Sequence, residues 1–239
     1  MKSIYLDNAA TTKLAPEVAD AMIPVLSEVY GNPSSTHAVG RKAKALIETS
    51  RRDISKILEC EPRSITFTSG GTEADNLALR AAVLDLGCKR IITSPAEHSA
   101  VIASSEKMAN LFGVELVHVK HLKDGTVDCE NLRDLLSTGP KTLVSLMHAN
   151  NEVGVIQPLN EISELCKQVG AVFHSDTVQT MAHYKFKLDS LDIDFLTCSA
   201  HKFHGPKGTG FLYTHPRNSI KSQIVGGGQE RGLRSGTEN

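Results

Sequence analysis

The chain's most reactive residue types fall into five short clusters: Ser69-Gly70-Gly71-Thr72, Glu97-His98, Asn150-Asn151-Glu152, Asp176 with Gln179, and Ser199-Ala200-His201-Lys202. Two adjacent glycines and a threonine opening a helix offer free backbone N–H groups and a hydroxyl, which favour an anion by ~0.3–1 kcal/mol, more when partly buried. This is no nucleotide loop. Gly-x-x-x-x-Gly-Lys-Ser/Thr does not occur in the sequence, and no Gly-x-Gly-x-x-Gly follows a strand. A lysine, a carboxylate and a phosphate seat together match what pyridoxal phosphate demands. The lysine holds the aldehyde as an imine, and the acid keeps the ring nitrogen protonated so that the ring can act as an electron sink. Lys202 and Asp176 fit these two roles. Lys202 then needs a lowered pKa, from burial or from a nearby cation such as His201. His98 could lie flat on the ring and move protons. Each cluster alone has a plainer explanation: a helix cap, a turn aspartate, an exposed lysine. Their recurrence after five of the predicted strands carries the reading.

Those strands must place the clusters on one rim. Short β-branched or apolar runs predict strands at 65–68, 90–93, 114–119, 142–148, 171–174, 194–198 and 210–213. Stretches of helical period alternate with them at 72–85, 99–111, 129–136 and 159–169, the pattern of successive βαβ units. The segment between Cys198 and Gly210 is too short and too rich in Gly and Pro for a helical crossover, so the last strand enters antiparallel. The expected fold class is α/β: a seven-stranded, mostly parallel sheet with one antiparallel strand and helices on both faces. Such a sheet binds ligands beyond the carboxyl ends of its strands, where the clusters lie. Ahead of it, 16–30 and 38–58 read as helices separated by the turn cluster Gly31-Asn32-Pro33-Ser34-Ser35.

Composition narrows the partners. Lys and Arg total 26 against 27 Asp and Glu, so no excess of positive charge exists to condense on phosphate or an anionic bilayer, which argues against nucleic acid and membrane surfaces. Apolar runs fall far short of the ~20 residues that cross a bilayer. Asp7 interrupts the N-terminus before a signal core can form, so a cytoplasmic location is expected. The five cysteines, Cys60, Cys88, Cys129, Cys166 and Cys198, are scattered with no Cys-x-x-Cys pair, and read as reduced packing thiols.

Eight blocks together resemble a known family: YLDNAATT (5–12), YGNPSSTHAVGRKA (30–43), TSGGTEADN (68–76), EHSAV (97–101), MHANNEVGVIQP (147–158), HSDTVQ (174–179), SAHKFHGPKGTGFLY (199–213) and RSGTEN (234–239). In order and spacing they are similar to the cysteine desulfurases of the nitrogen-fixation and iron-sulfur-cluster type. The resemblance implies a fold-type-I pyridoxal phosphate enzyme of the class V aminotransferase group, a homodimer that takes sulfur from L-cysteine and leaves L-alanine. By that resemblance Lys202 is the Schiff-base lysine, Asp176 the partner of the pyridine nitrogen, and His98 the stacked imidazole. Gln179 and Asn151 neighbour the ring hydroxyl, and Gly71, Thr72, Ser199 and His201 are phosphate ligands. Thr237 reaches the phosphate bound by the other subunit. No metal is implied.

The resemblance also divides the chain. Residues 1–15 would join a smaller domain, residues 16–239 form the cofactor-binding large domain, and the family's C-terminal small domain has no counterpart here. That domain carries the nucleophilic cysteine loop and the arginine that grips the substrate carboxylate, so the 239 residues are expected to be catalytically incomplete, with a sulfur-acceptor or scaffold protein as partner of the longer form. Three alternatives stay open: a non-catalytic cofactor-binding fragment, another class V member such as a selenocysteine lyase, and a metal-dependent hydrolase using His148, His174, Asp176, His201 and His204.

Overall fold

The computed structural model describes residues 4–239. Its strands are β1 (Ile65–Thr68), β2 (Arg90–Thr93), β3 (Glu115–His118), β4 (Thr142–Ser145), β5 (Val172–Asp176), β6 (Phe195–Ser199) and β7 (Gly210–Thr214). They form one sheet in the order β1-β7-β6-β5-β4-β2-β3, in which β7 runs antiparallel to both neighbours and the remaining pairs are parallel. The expected α/β class and the single antiparallel strand are therefore found.

Consecutive strand residues face opposite sides, and both sides are apolar. Ile92, Val144, Phe173 and Leu196 pack on one face, while Ile91, Leu143, Val172 and Phe195 pack on the other. Such near-continuous hydrophobic strands belong to a sheet covered twice. Helices α5 (Cys129–Leu136) and α6 (Leu159–Val169) bury Leu132, Leu136, Ile162 and Leu165 against the first face. Helices α3 (Gly71–Leu84) and α4 (Ser99–Phe112) bury Ala78, Leu79, Val101 and Met108 against the second. Each fully buried Leu, Ile or Phe contributes about 1.5–3 kcal/mol, so these two layers supply the main driving force for the sheet. Helix α2 (Ala38–Ile57) reaches the core through its C-terminal end, and α1 (Pro16–Glu28) buries no residue.

Three strand ends differ from the sequence reading in a way that matters for the rim. The run expected to extend to His148 stops as a strand at Ser145. Beyond it the chain still follows β5, with Leu146 N donating to His174 O at 3.1 Å and His148 N to Asp176 O at 2.9 Å, but it leaves β2. Strand β5 correspondingly lengthens to Asp176, and β6 to Ser199, so these two residues end their strands rather than follow them. The described part of the N-terminal segment lies along the loop after β6. Thr12 N and Thr12 Oγ1 both donate to His201 O at 2.9 Å, and His204 N donates to Thr12 Oγ1 at 2.7 Å. No helix among the described residues is long and apolar enough to cross a membrane.

Candidate active site

A cleft of about 450 Å³ opens at the carboxyl ends of the parallel strands, and its wall includes Gly71, Thr72, His98, Asn151, Asp176, Gln179, Ser199, His201 and Lys202. The fold thus gathers all but one of the predicted site residues. Thr237 is exposed and stands outside this wall.

At one end the chain turns from β1 into α3. Gly70 has φ +147°, a conformation that favours glycine, and a Cβ on Gly71 would meet Val178 Cγ2 at 2.8 Å. A Cβ on Gly210 of β7 would lie 2.3 Å from Cys198 O and 2.8 Å from Gly70 Cα, so a bare backbone there is what lets the turn press onto the sheet. The first-turn amides of α3 have no carbonyl of a preceding turn to bond, and the residues that carry them line the cleft beside Ser199. Glu73, in the same first turn, accepts from Ser69 N at 2.9 Å.

The opposite end is acidic. Asp176 is fully buried at the end of β5, where its Oδ1 accepts from Val178 N at 2.8 Å. Asp75 of α3, His98 and Asp176 each bring one polar side-chain atom within 4.8 Å of the others. Asp75 is 1% exposed and its Oδ1 makes no hydrogen bond; His174 Nε2 lies 3.4 Å from it, on a ring that burial holds neutral. Burial raises both carboxyls, each to about 7, and for Asp176 the charge of Asp75 adds to the effect. Glu97, also buried, donates nothing in its ionised form; its Oε1 accepts from Met147 N at 2.8 Å, and burial pushes its carboxyl well up. This end is therefore short of positive charge.

Lys202 and His98 complete the wall. Burial lowers the Lys202 ammonium while Asp176 and Asp7 pull the other way, and its Nζ donates to the carbonyls of Ala9 and Ala10. His201 does not supply the cation envisaged from sequence. Burial first, then Lys202 and Lys207, hold its imidazole below the ordinary value, so burial alone favours the neutral lysine. His98 caps α4, with Nδ1 accepting from Ala100 N at 3.2 Å, which places the proton of a neutral ring on Nε2. Gln179 Nε2 donates to Ala9 O at 3.0 Å, and Asn151 Nδ2 to Glu152 Oε1 at 2.8 Å.

The histidines considered for a metal site are engaged separately. His148 Nδ1 bonds Thr180 Oγ1 at 2.9 Å, His174 lies between Ser145 Oγ at 2.8 Å and Thr197 Oγ1 at 3.1 Å, His201 bonds Thr11 Oγ1 at 3.1 Å, and His204 bonds Lys13 O at 3.0 Å. They do not converge on a point. The sequence reading missed Asp75. A signal existed: four and seven positions on along α3 lie Leu79 and Ala82, both fully buried, so an acid stands on the apolar stripe of a helix.

Comparison with known proteins agrees with this geometry. The chain is 43% identical over 240 residues to "Cysteine desulfurase IscS" of Dictyoglomus turgidum and 45% identical over 242 residues to "Cysteine desulfurase" of Cereibacter sphaeroides. All of the chain is matched, and it spans 60% and 62% of the length of these two relatives. Among solved structures, a "NifS-like protein" superposes with a TM-score of 0.95 at 40% identity, covering 100% of this chain and 66% of that one. "SspA in complex with cysteine" superposes with a TM-score of 0.93 at 33% identity, covering 99% of this chain and 69% of that one. The model of the aminotransferase class-V family matches residues 4–236, so the sheet, the cleft and the strap that follows β7 (residues 215–239, of which 215–236 are matched) are those of a member of the class-V aminotransferase family.

Proposed function

We propose that this chain is the cofactor-binding part of a pyridoxal phosphate-dependent cysteine desulfurase, acting on L-cysteine in the cytoplasm. The observation that carries the reading is one cleft holding three things the cofactor requires: an amine at Lys202, a buried acid at Asp176, and an anion-type turn at Gly71-Thr72. The donor set fits the group. An acidic end short of positive charge suits a cationic ring nitrogen, and a glycine turn with free amides suits a phosphate. Pyridoxal phosphate is the cofactor of class-V aminotransferases, and when bound it supplies an electron sink for charge developing on the substrate's α-carbon.

The chain's own residues have distinct tasks in this reading. Lys202 Nζ would hold the aldehyde carbon, and its burial favours the neutral amine that this bond needs. Asp176 holds a proton on the ring nitrogen. His98, on the cleft wall, would lie against the ring and hold or pass a proton at Nε2, its Nδ1 being occupied by Ala100 N. Asn151 and Gln179 orient the ring hydroxyl, while Gly71, Thr72, Ser199 and His201 bind phosphate. Thr237, exposed on the strap, serves a second copy of the chain, so the active form is a homodimer. Residues 1–15 belong with a smaller domain, and a sulfur-acceptor or scaffold protein takes the product sulfur.

Reduction with borohydride in the presence of pyridoxal phosphate, followed by peptide mapping, tests the reading. The label is expected on Lys202, and a label on another lysine refutes the assignment. No cysteine lines the cleft, and burial raises the thiols of Cys60, Cys88, Cys129, Cys166 and Cys198. That favours a second reading for the 239 residues by themselves, namely cofactor binding without sulfur transfer. Steady sulfide release from cysteine by this chain would contradict it.

A further inference from the structure

The proposed phosphate seat contains an apparent contradiction. Glu73 stands in the first turn of α3 and lines the cleft, so a carboxylate sits where a phosphate dianion is to bind. Like charges at one helix terminus oppose each other, and the acid would occupy the positive end of the helix dipole itself. The acid is nonetheless ionised. Burial works against its charge, and the hydrogen bonds from Arg234 and Ser69 outweigh burial, bringing the carboxyl below its usual range.

The neutralising group comes from the far end of the chain. Arg234 Nε donates to Glu73 Oε1 at 2.9 Å and Nη2 to Oε2 at 3.4 Å, a two-point contact with Arg234 26% and Glu73 16% exposed. Arg234 lies on the strap that follows β7. Within it Glu230 and Arg231 both adopt left-handed conformations, φ 46° and 57°, which cost a non-glycine residue energy and persist only when surroundings enforce them. The enforcing contact is buried: Arg51 Nη1 and Nη2 each donate to a Glu230 carboxylate oxygen at 2.8 Å. The same carboxylate accepts from Phe67 N at 2.9 Å, and Arg51 Nη1 donates to Ile65 O at 2.7 Å. The pair thus satisfies outward backbone groups of the edge strand β1 and fixes the strap to the strand that leads into the seat.

We infer that Arg234 is a positioning residue for the phosphate seat: by pairing with Glu73 it cancels that acid's charge and holds the Ser69–Gly71 turn in register, so the seat can discriminate in favour of a phosphate-bearing ligand. The inference rests on the cofactor reading above. The carboxylate still does its work on the turn, through Ser69 N, while its field is directed into the guanidinium.

The test compares the affinity of the chain for pyridoxal 5′-phosphate with that for pyridoxal, which lacks the phosphate. A general loss of structure weakens both; loss of the seat weakens only the first. In Arg234→Met the preference for the phosphate form is expected to fall about fivefold or more, the effect of an unscreened charge at a partly buried helix terminus. Arg234→Met combined with Glu73→Gln should restore the preference, since glutamine can still accept from Ser69 N. Glu73→Gln alone should keep it, which provides a readout even if Arg234→Met does not fold. A parent preferring the phosphate form, with Arg234→Met showing the same preference, overturns this inference alone. So does a folded double variant that fails to recover, or a loss of preference in Glu73→Gln. A parent that binds both aldehydes equally sinks the cofactor reading and this inference with it.

Discussion

Replacing Asp75 by asparagine should stabilise the cofactor-free chain at pH 8, an unusual outcome for a fully buried polar position. Asp75 is 1% exposed, its Oδ1 meets the neutral His174 ring at 3.4 Å, and Asp176 lies close enough for their carboxyl oxygens to be within 4.8 Å. The folded carboxyl sits at about 7 against 3.8 for the free group. A carboxyl raised in the folded state binds more protons there than in the unfolded chain, so stability falls as pH rises from about 4 to about 7 and stays lower above. The span corresponds to roughly 4 kcal/mol at ~1.4 kcal/mol per tenfold. Because the two carboxyls share the effect, we expect about half, ~2 kcal/mol, or about 4–8 °C in Tm for a chain of this size. Thermal unfolding of parent and Asp75→Asn across pH 5 to 8 reads this directly. The gap should open with rising pH, close in acid, and shrink when pyridoxal phosphate supplies a cation beside Asp176. A variant no more stable than the parent at pH 8, or a gap independent of pH, refutes the electrostatic reasoning.

Two further substitutions separate ligand chemistry from folding. Asp176→Asn should weaken binding of pyridoxal phosphate by about tenfold or more, from the ~1.5–3 kcal/mol of a charged hydrogen bond, while leaving the affinity for inorganic phosphate unchanged; titration calorimetry with both ligands distinguishes the two, and equal losses count against the ring-nitrogen role. Arg51→Met strands the Glu230 carboxylate, which is 4% exposed, and should cost about 3–5 kcal/mol in urea unfolding, with early proteolysis in the strap; an unchanged midpoint would show that the pair does not hold it.

Much of the fold was legible along the chain because burial on both faces leaves a local mark. Apolar runs such as Ile91-Ile92 and Leu143-Val144 announce strands covered twice, and the helical segments between them enforce parallel crossovers. Short Gly- and Pro-rich sequence after Cys198 was enough to reverse the last strand. Strand ends were less legible. Asp176 belongs to β5 because His148 N and the ladder to Thr197 hold it there, contacts that involve other segments.

The site divides along the same line. Residue type and order determined which groups could hold a lysine-bound, phosphate-bearing cofactor, since Lys202, Asp176 and Gly71-Thr72 each follow or end a strand whose place in the sheet is implied by alternation. Only the tertiary structure decided the charges around them. Asp75 is separated from Asp176 by the strands and helices between, and Arg234 from Glu73 by 161 positions, so their meeting depends on how the sheet twists and where the strap docks. Periodicity records which side of an element is buried; it carries no record of which distant charge will lie opposite, and electrostatic energies depend on that distance.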